Sequence, residues 1–323
     1  VDMKQQAIYI GWDFANIWGI EVGVSYPYLK ELGPTKSSIP LIVKTKEISN
    51  LDELSKIGHY PDYPWWWNYK LMVDIDANNT INWDGGKGFK PLCLFGKFYG
   101  NGYKIKNLYI NRPNEDYIGL IGILGVGGEV KDLGIENCWV IGNDSGVGGL
   151  VGCSVGNITN SYSIGEVNGN GVYVGGLVGY SVGSIINSYS TGTVSGSVQI
   201  GGLVGYNVGS ITNCYSKEEV FGDGIVINNF NNTGGFVGCN AGNIINSYSM
   251  GAVSGSFQVG GLVGSNGGNI TSSYSTGAVS GGSYVGGLVG YNYYGSINSS
   301  YWDIETSGQI TSAGGEGKTT AEM

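Results

Sequence analysis

The sequence predicts an all-β chain, a parallel β-solenoid (β-helix) of about eight or nine coils with a short N-terminal capping helix. Three observations carry this. A glycine motif recurs about every 26 residues, apolar and aromatic positions recur in register with it, and no helical period appears between Gly148 and Ser300.

The motif Gly-Gly-Leu/Phe-Val-Gly begins at Gly148, Gly175, Gly201, Gly234, Gly260 and Gly286, at spacings of 27, 26, 33, 26 and 26 residues. A weaker copy, Ile118-Gly-Leu-Ile-Gly122, lies 30 residues before Gly148, and the longest interval holds the polar insert Gly222 to Thr233, which reads as a loop. The absence of a helical period excludes helical solenoids, and a 26-residue coil is too short for a four-stranded propeller blade.

Each motif is followed by Gly-x-Ile-x-Asn/Ser-x-Tyr. Stacked coils therefore give an isoleucine column (Ile158, Ile185, Ile211, Ile244, Ile270, Ile297) and a tyrosine column (Tyr162, Tyr189, Tyr215, Tyr248, Tyr274, Tyr301). A period of two places both, with the intervening Asn160, Asn187, Asn213, Asn246, Ser272 and Ser299, on one strand face, which makes the asparagines a candidate buried amide ladder. A valine column follows at Val167, Val194, Val220, Val253 and Val279, so each coil has about three short strands. Glycines are expected to supply positive φ at the corners and close backbone approach elsewhere.

Upstream, Gly100 to Tyr109 repeats the spacing through Ile105, Asn107 and Tyr109, with Val130 and Asp132 in an irregular coil between. The solenoid is therefore expected over 69–305, starting near Tyr69, as a rod of about 40 Å at ~4.8 Å per coil. Before it, in 35–68, Ser49-Asn-Leu-Asp52 reads as a helix start and Gly58 as its stop, with Leu51, Leu54 and Ile57 inward. This helix and Trp65 to Trp67 are expected to cap the first coil, because an open solenoid end exposes unpaired strand edges.

Composition narrows the function classes. Sixty glycines, 7 prolines and 13% charged residues are far from globular usage, while 41% hydrophobic residues and 23 tyrosines supply a core. A net charge of −9 argues against nucleic acid and anionic lipid. The longest nearly uncharged apolar stretch, Tyr117 to Gly128, has 12 residues, too few for a membrane span. The chain opens at Val1 with no signal peptide, as a processed protein or an excerpt of a longer one would. Five cysteines without a CxxC pair define no disulfide framework or zinc site; Cys153 and Cys239 share a column but stand three coils apart, beyond the roughly 7 Å limit for bridging.

These residues resemble the GLUG-motif proteins, surface and secreted β-solenoid proteins named for the Gly-Leu-x-Gly repeat. The resemblance is carried by Tyr69 to Asp76, Phe98 to Ile110, every Gly-Gly-Leu-Val-Gly coil and Ser300 to Gln309. It implies a place in very large adhesin-like or cell-wall proteins, some bearing peptidase domains, with no catalysis by the repeat itself. In proteins similar to this one a Lys-Thr-Thr-Ala-Glu-Met stretch runs directly into Gly-Trp-Asp-Phe…Ile-Trp…Ser-Tyr-Pro-Tyr-Leu. Here Lys318 to Met323 ends the chain, and Gly11 to Trp18 and Ser25 to Leu29 begin it. Residues 1–34 are accordingly expected to complete a neighbouring unit through Trp12, Phe14, Trp18, Tyr26 and Tyr28, with Trp302 and the tail 306–323 meeting the next unit. The alternative is that 1–34 fold back as a cap.

Catalytic, cofactor and metal residues are not expected. Between Gly148 and Ser300 the only charged residues are Glu166, Lys217, Glu218, Glu219 and Asp223. His59 reads as an exposed loop residue, and Asp74, Asp76, Asn78 and Asn79 as a polar turn without calcium-loop spacing. The tyrosine column reads as core. Trp65 to Trp67, Tyr180, Tyr206 and Tyr291 can stack on sugars or serve packing between filaments. Glycosylation sequons stand at Asn78, Asn143, Asn157, Asn231, Asn269 and Asn298. The expected function is a structural unit of an extracellular or cell-surface filament, sheath or fibre, partnered by other copies of itself or adjacent repeats. The alternative is an adhesin module binding a glycan or surface protein; an enzyme domain is a distant third.

Overall fold

The structure, a computed structural model, describes residues 18–19, 28–29, 44–222 and 231–323. The chain divides into two units at Lys44/Thr45. In the first, Trp18–Gly19 pairs antiparallel with Tyr28–Leu29. The second is a parallel β-solenoid of about nine coils with two short helices.

Three parallel sheets form its faces among the described residues. The isoleucine face has 10 strands, from Thr45–Ile48 to Ser296–Asn298, and the glycine face 8, from Leu92–Leu94 to Val289–Asn292. The tyrosine face has 15 strand segments, including the longest strands, Tyr162–Gly175 and Tyr189–Gly201. The predicted columns are the observed register: Ile158, Ile185, Ile211, Ile244, Ile270 and Ile297 align, as do the tyrosines from Tyr162 to Tyr301 and the valines from Val167 to Val279. With Leu150, Leu177, Leu203, Phe236, Leu262 and Leu288 of the glycine motif, the isoleucine and valine columns fill the core. Burying each of these side chains fully is worth about 1.5–3 kcal/mol.

The corners differ from expectation. Asn160, Asn187, Asn213, Asn246, Ser272 and Ser299 all have φ between 46° and 55°, and the chain turns there from the isoleucine face to the tyrosine face. A left-handed residue breaks the alternation of a strand, so Ile158 points into the core, Asn160 into solvent, and Tyr162 outward and half-buried. Asparagine takes this region most readily after glycine. The glycine motif itself contains no positive φ. Its glycines serve close approach: a Cβ on Gly176 would collide with the Gly202 carbonyl of the next coil, and one on Gly179 with the backbone at Gly146 and Val147 of the coil before.

The upstream register is also corrected. Phe98 and Val130 continue the isoleucine column, whereas Ile105 aligns with Ile135 and Ser163, and Tyr109 with Trp139 and Glu166, one face further on. Asn107 and Asn137, with φ of 60° and 56°, make a second corner, so the same Ile-x-Asn-x-Tyr spacing arises at two places in a coil.

The first rung is Thr45–Ile48, paired in parallel with Asn68–Leu71, so the ladder starts one rung before Tyr69. Helix α1 (Leu51–Lys56) therefore lies between the first two rungs. Its N-cap is Asn50 and its capping acid Glu53, one residue later than Ser49 and Asp52: Glu53 N donates to Asn50 Oδ1 (2.9 Å) and Ser49 N to Glu53 Oε2 (2.8 Å). Leu54 and Ile57 are buried and Leu51 packs against the core. Trp65 follows, its carbonyl accepting from Phe95 N (2.7 Å) and its ring meeting Phe95 edge-on at 4.7 Å.

At the other end the tail folds onto its own last coil. Asp303 Oδ1 caps helix α2 (Ile304–Ser307) by accepting from Glu305 N and Thr306 N, and Gly308 at φ 67° ends it. Residues 311–313 then bond to Gly287 and Val289, and Glu316–Lys318 adds one rung beside Tyr301–Asp303.

Candidate functional site

The repeated features of the surface and interior are ladders along the axis. The rings of Tyr162, Tyr189, Tyr215, Tyr248 and Tyr274 stack at 4.7–5.2 Å with planes within 7°. They stand half-buried on the outer side rather than in the core. Tyr162 Oη donates to Glu136 Oε1 (2.8 Å), which also pairs with Lys104 Nζ (2.6 Å). Burial first, and this carboxylate second, push the Tyr162 phenol up to about 12.

The exposed corner carries an amide ladder: Asn160 donates to Asp132 (2.8 Å), Asn187 to Asn160 (3.1 Å) and Asn213 to Asn187 (3.2 Å). The buried amide ladder stands in another column, where Asn207 donates to Asn240 (2.8 Å), Asn240 to Asn266 (2.9 Å) and Asn266 to Asn292 (2.9 Å). The residue after each corner forms a hydroxyl ladder. Ser161, Ser188, Ser247, Ser273 and Ser300 are buried, each hydroxyl donating to the carbonyl two residues back while accepting a backbone N–H from the preceding coil. Cys214 replaces serine in that column. Sequence reading missed both, although Asn207, Asn240, Asn266 and Asn292 recur four residues after the glycine motif's leucine or phenylalanine.

Among the described residues two carboxylates are buried, Asp303 at the cap of α2 and Glu218. Glu218 is 2% exposed, in register with Gly192, and its Oε2 has no hydrogen-bond partner. Burial pushes it up to about 9, so it is held protonated at neutral pH, and Ser190 offsets this only in part.

The other named residues fall as follows. Trp302 is buried against Gly287 and donates Nε1 to Gln309 O (2.9 Å), so it packs on this chain's own last coil. Trp12, Phe14 and Tyr26 lie outside the described residues; Trp18 and Tyr28 are placed in their two-residue strands by backbone alone. Of the sequons, Asn78, Asn143, Asn157, Asn269 and Asn298 are exposed, whereas Asn231 is 2% exposed. His59 is half-buried rather than exposed, with Nε2 3.1 Å from Pro91 O, and burial lowers its pKa. Asp74 is bound to Lys106 and Asp76 to Asn107, which lower both carboxyls. All five cysteines are free, and burial pushes Cys138 and Cys239 to about 11 and Cys214 to about 12. Among the described residues no group of three metal-ligating side chains gathers, and no helix is long and apolar enough to cross a membrane.

An open groove of about 480 Å³ lies on the tyrosine face toward the N-terminal coils. Trp139, 52% exposed at its centre, was not singled out from sequence. Its signal was an aromatic flanked by the buried Cys138 and Val140, hence outward-facing.

Comparison with known proteins agrees with this architecture. The GLUG motif matches residues 170–195, 196–220 and 255–280, so these coils are GLUG repeats. Halomucin from Haloquadratum walsbyi is 39% identical over 109 residues, 31% of this chain and 1% of that protein. A protein of Evansella cellulosilytica, provisionally named a Gly-rich membrane protein, is 35% identical over 107 residues, 31% of this chain and 12% of its own length. The chain thus spans a small part of these relatives. A crystal structure from Bacteroides ovatus, of a protein provisionally named an immunoglobulin A1 protease, superposes with a TM-score of 0.53 over 86% of this chain and 85% of that one, at 22% identity. That likeness is one of fold alone.

Proposed function

We propose that this chain is a non-catalytic structural unit of a cell-surface or extracellular fibre, stacking end to end on copies of itself or on adjacent repeats of a longer chain. The observation that carries the reading is the isoleucine-face sheet. Its strands are all parallel, and its first strand, Thr45–Ile48, and last, Ser296–Asn298, each have a strand partner on one side only among the described residues. A parallel edge offers its unpaired N–H and C=O groups to the opposite end of a like unit, and such a contact propagates without closing. The ladders of amide, hydroxyl and phenol run along the same axis, so load is shared by many short contacts. The surface location draws support from similarity to halomucin and to the protein named for a membrane. Residues 1–34 are assigned the role of completing the neighbouring unit, with the tail closing its own coil. Sedimentation velocity tests this: the full chain sediments as a concentration-dependent series, and the chain lacking residues 1–34 as a folded monomer. A full chain monomeric at all concentrations overturns the proposal.

A further inference from the structure

The groove around Trp139 has a composition that the fibre role does not use. Tyr109, Trp139, Glu166 and Thr193 are consecutive in one outward column, with the Tyr109 and Trp139 rings 6.3 Å apart and edge to face. Ile81, 51% exposed, comes alongside from the 3-10 stretch Asn78–Gly86. Beside this column stand Gly165 and Gly192, with φ of 154° and 138°, where a Cβ would strike the backbone of the preceding coil at Cys138 and Gly165. Along one wall runs a short amide ladder: Asn137 donates to Asn107 Oδ1 (2.7 Å) and Asn107 to Asp76 Oδ1 (2.9 Å). Asn137 stands at its end, at the register shift between Glu136 and Cys138, and its side-chain oxygen accepts no hydrogen bond among the described residues.

We propose that this groove binds a neutral glycan chain. A pyranose presents an apolar C–H face bordered by hydroxyls; a flat exposed indole takes the first, and an amide, acceptor and donor together, takes the second. Few polar groups around an aromatic floor is the composition of a small-ligand site. Charge selects the neutral class. Among the described residues Glu166 is the only carboxylate in the lining itself, Asp76 being bound at the foot of the amide wall, and no lysine or arginine lines the groove, so a uronate or sialate would meet repulsion with nothing to pair it. From Ile81 to Thr193 the groove crosses about four rungs, about 20 Å at ~4.8 Å each, which suits several sugar units in a row. The described lining residues run from Asn78 to Thr193.

Isothermal titration of the full chain with cellohexaose, chitohexaose and hexagalacturonate tests it. The expected result is binding of at least one neutral hexasaccharide, weakened ten-fold or more in Trp139→Ala, less so in Glu166→Gln, and unchanged when residues 1–34 are removed. Trp139 is exposed, so its loss leaves the core intact. No heat with either neutral sugar at millimolar concentration, equal binding by Trp139→Ala, or tighter binding of hexagalacturonate overturns the proposal. So does a Trp139-dependent self-association of rods without sugar binding, which would make the groove a lateral contact.

Discussion

The rings of Tyr189 and Tyr215 stack 4.7 Å apart with their planes 4° from parallel, the spacing of two hydrogen-bonded strands. A side chain repeated at one position of each coil is thereby held against its own copy. Tyr215 also stacks on Tyr248 at 5.2 Å, so it sits within the column with a neighbour on each side.

Tyr215→Ala removes two stacked pairs at once. At about 0.5–1.5 kcal/mol per aromatic pair, the loss is about 2 kcal/mol, with more from the buried area of the ring. Urea unfolding of the variant at neutral pH checks the value.

The left-handed corners predict a paired result. Asn213→Ala places a Cβ residue without amide compensation at φ 55° and loses about 1–2 kcal/mol together with the Asn187 hydrogen bond. Asn213→Gly relieves the backbone term, so it is the milder of the two. Equal losses would mean that the ladder, not the corner, determines the residue.

Glu218 predicts a pH dependence of stability. Its folded pKa lies above the unfolded value, so the contribution is fully present below about pH 4.5, declines as pH rises, and is gone above about pH 9. Unfolding free energy should therefore fall across that window in the native chain. Glu218→Gln should flatten the curve and be the more stable of the two at pH 8.

Gly176→Val tests the close approach. A Cβ there meets the Gly202 carbonyl and the Glu218 carboxyl, and backbone cannot yield cheaply, so the loss is about 3 kcal/mol or more, seen as a lowered unfolding midpoint.

The coil period and the Ile158, Tyr162 and Val167 columns were legible because each coil repeats one residue type at one position, and copies of that position must pair. The corners were harder. Ile105, Asn107 and Tyr109 carry the spacing of Ile158, Asn160 and Tyr162 yet lie at a different corner, since any left-handed asparagine between two strands yields that pattern. Thr45–Ile48 was missed as a rung because Ile48 is its only buried side chain, Thr45 and Glu47 being exposed and Lys46 half-buried, as suits an edge strand. Trp139 stood in an irregular coil with no repeat partner to mark it. The tail was read as reaching outward, and Trp302 turned inward because Gly287 leaves the space its indole fills.

The end-to-end claim is tested most directly by electron microscopy of the purified 323-residue protein. The account predicts unbranched filaments with an axial repeat of about 50 Å, ten rungs at ~4.8 Å. Isolated rods of that length at every concentration would contradict it.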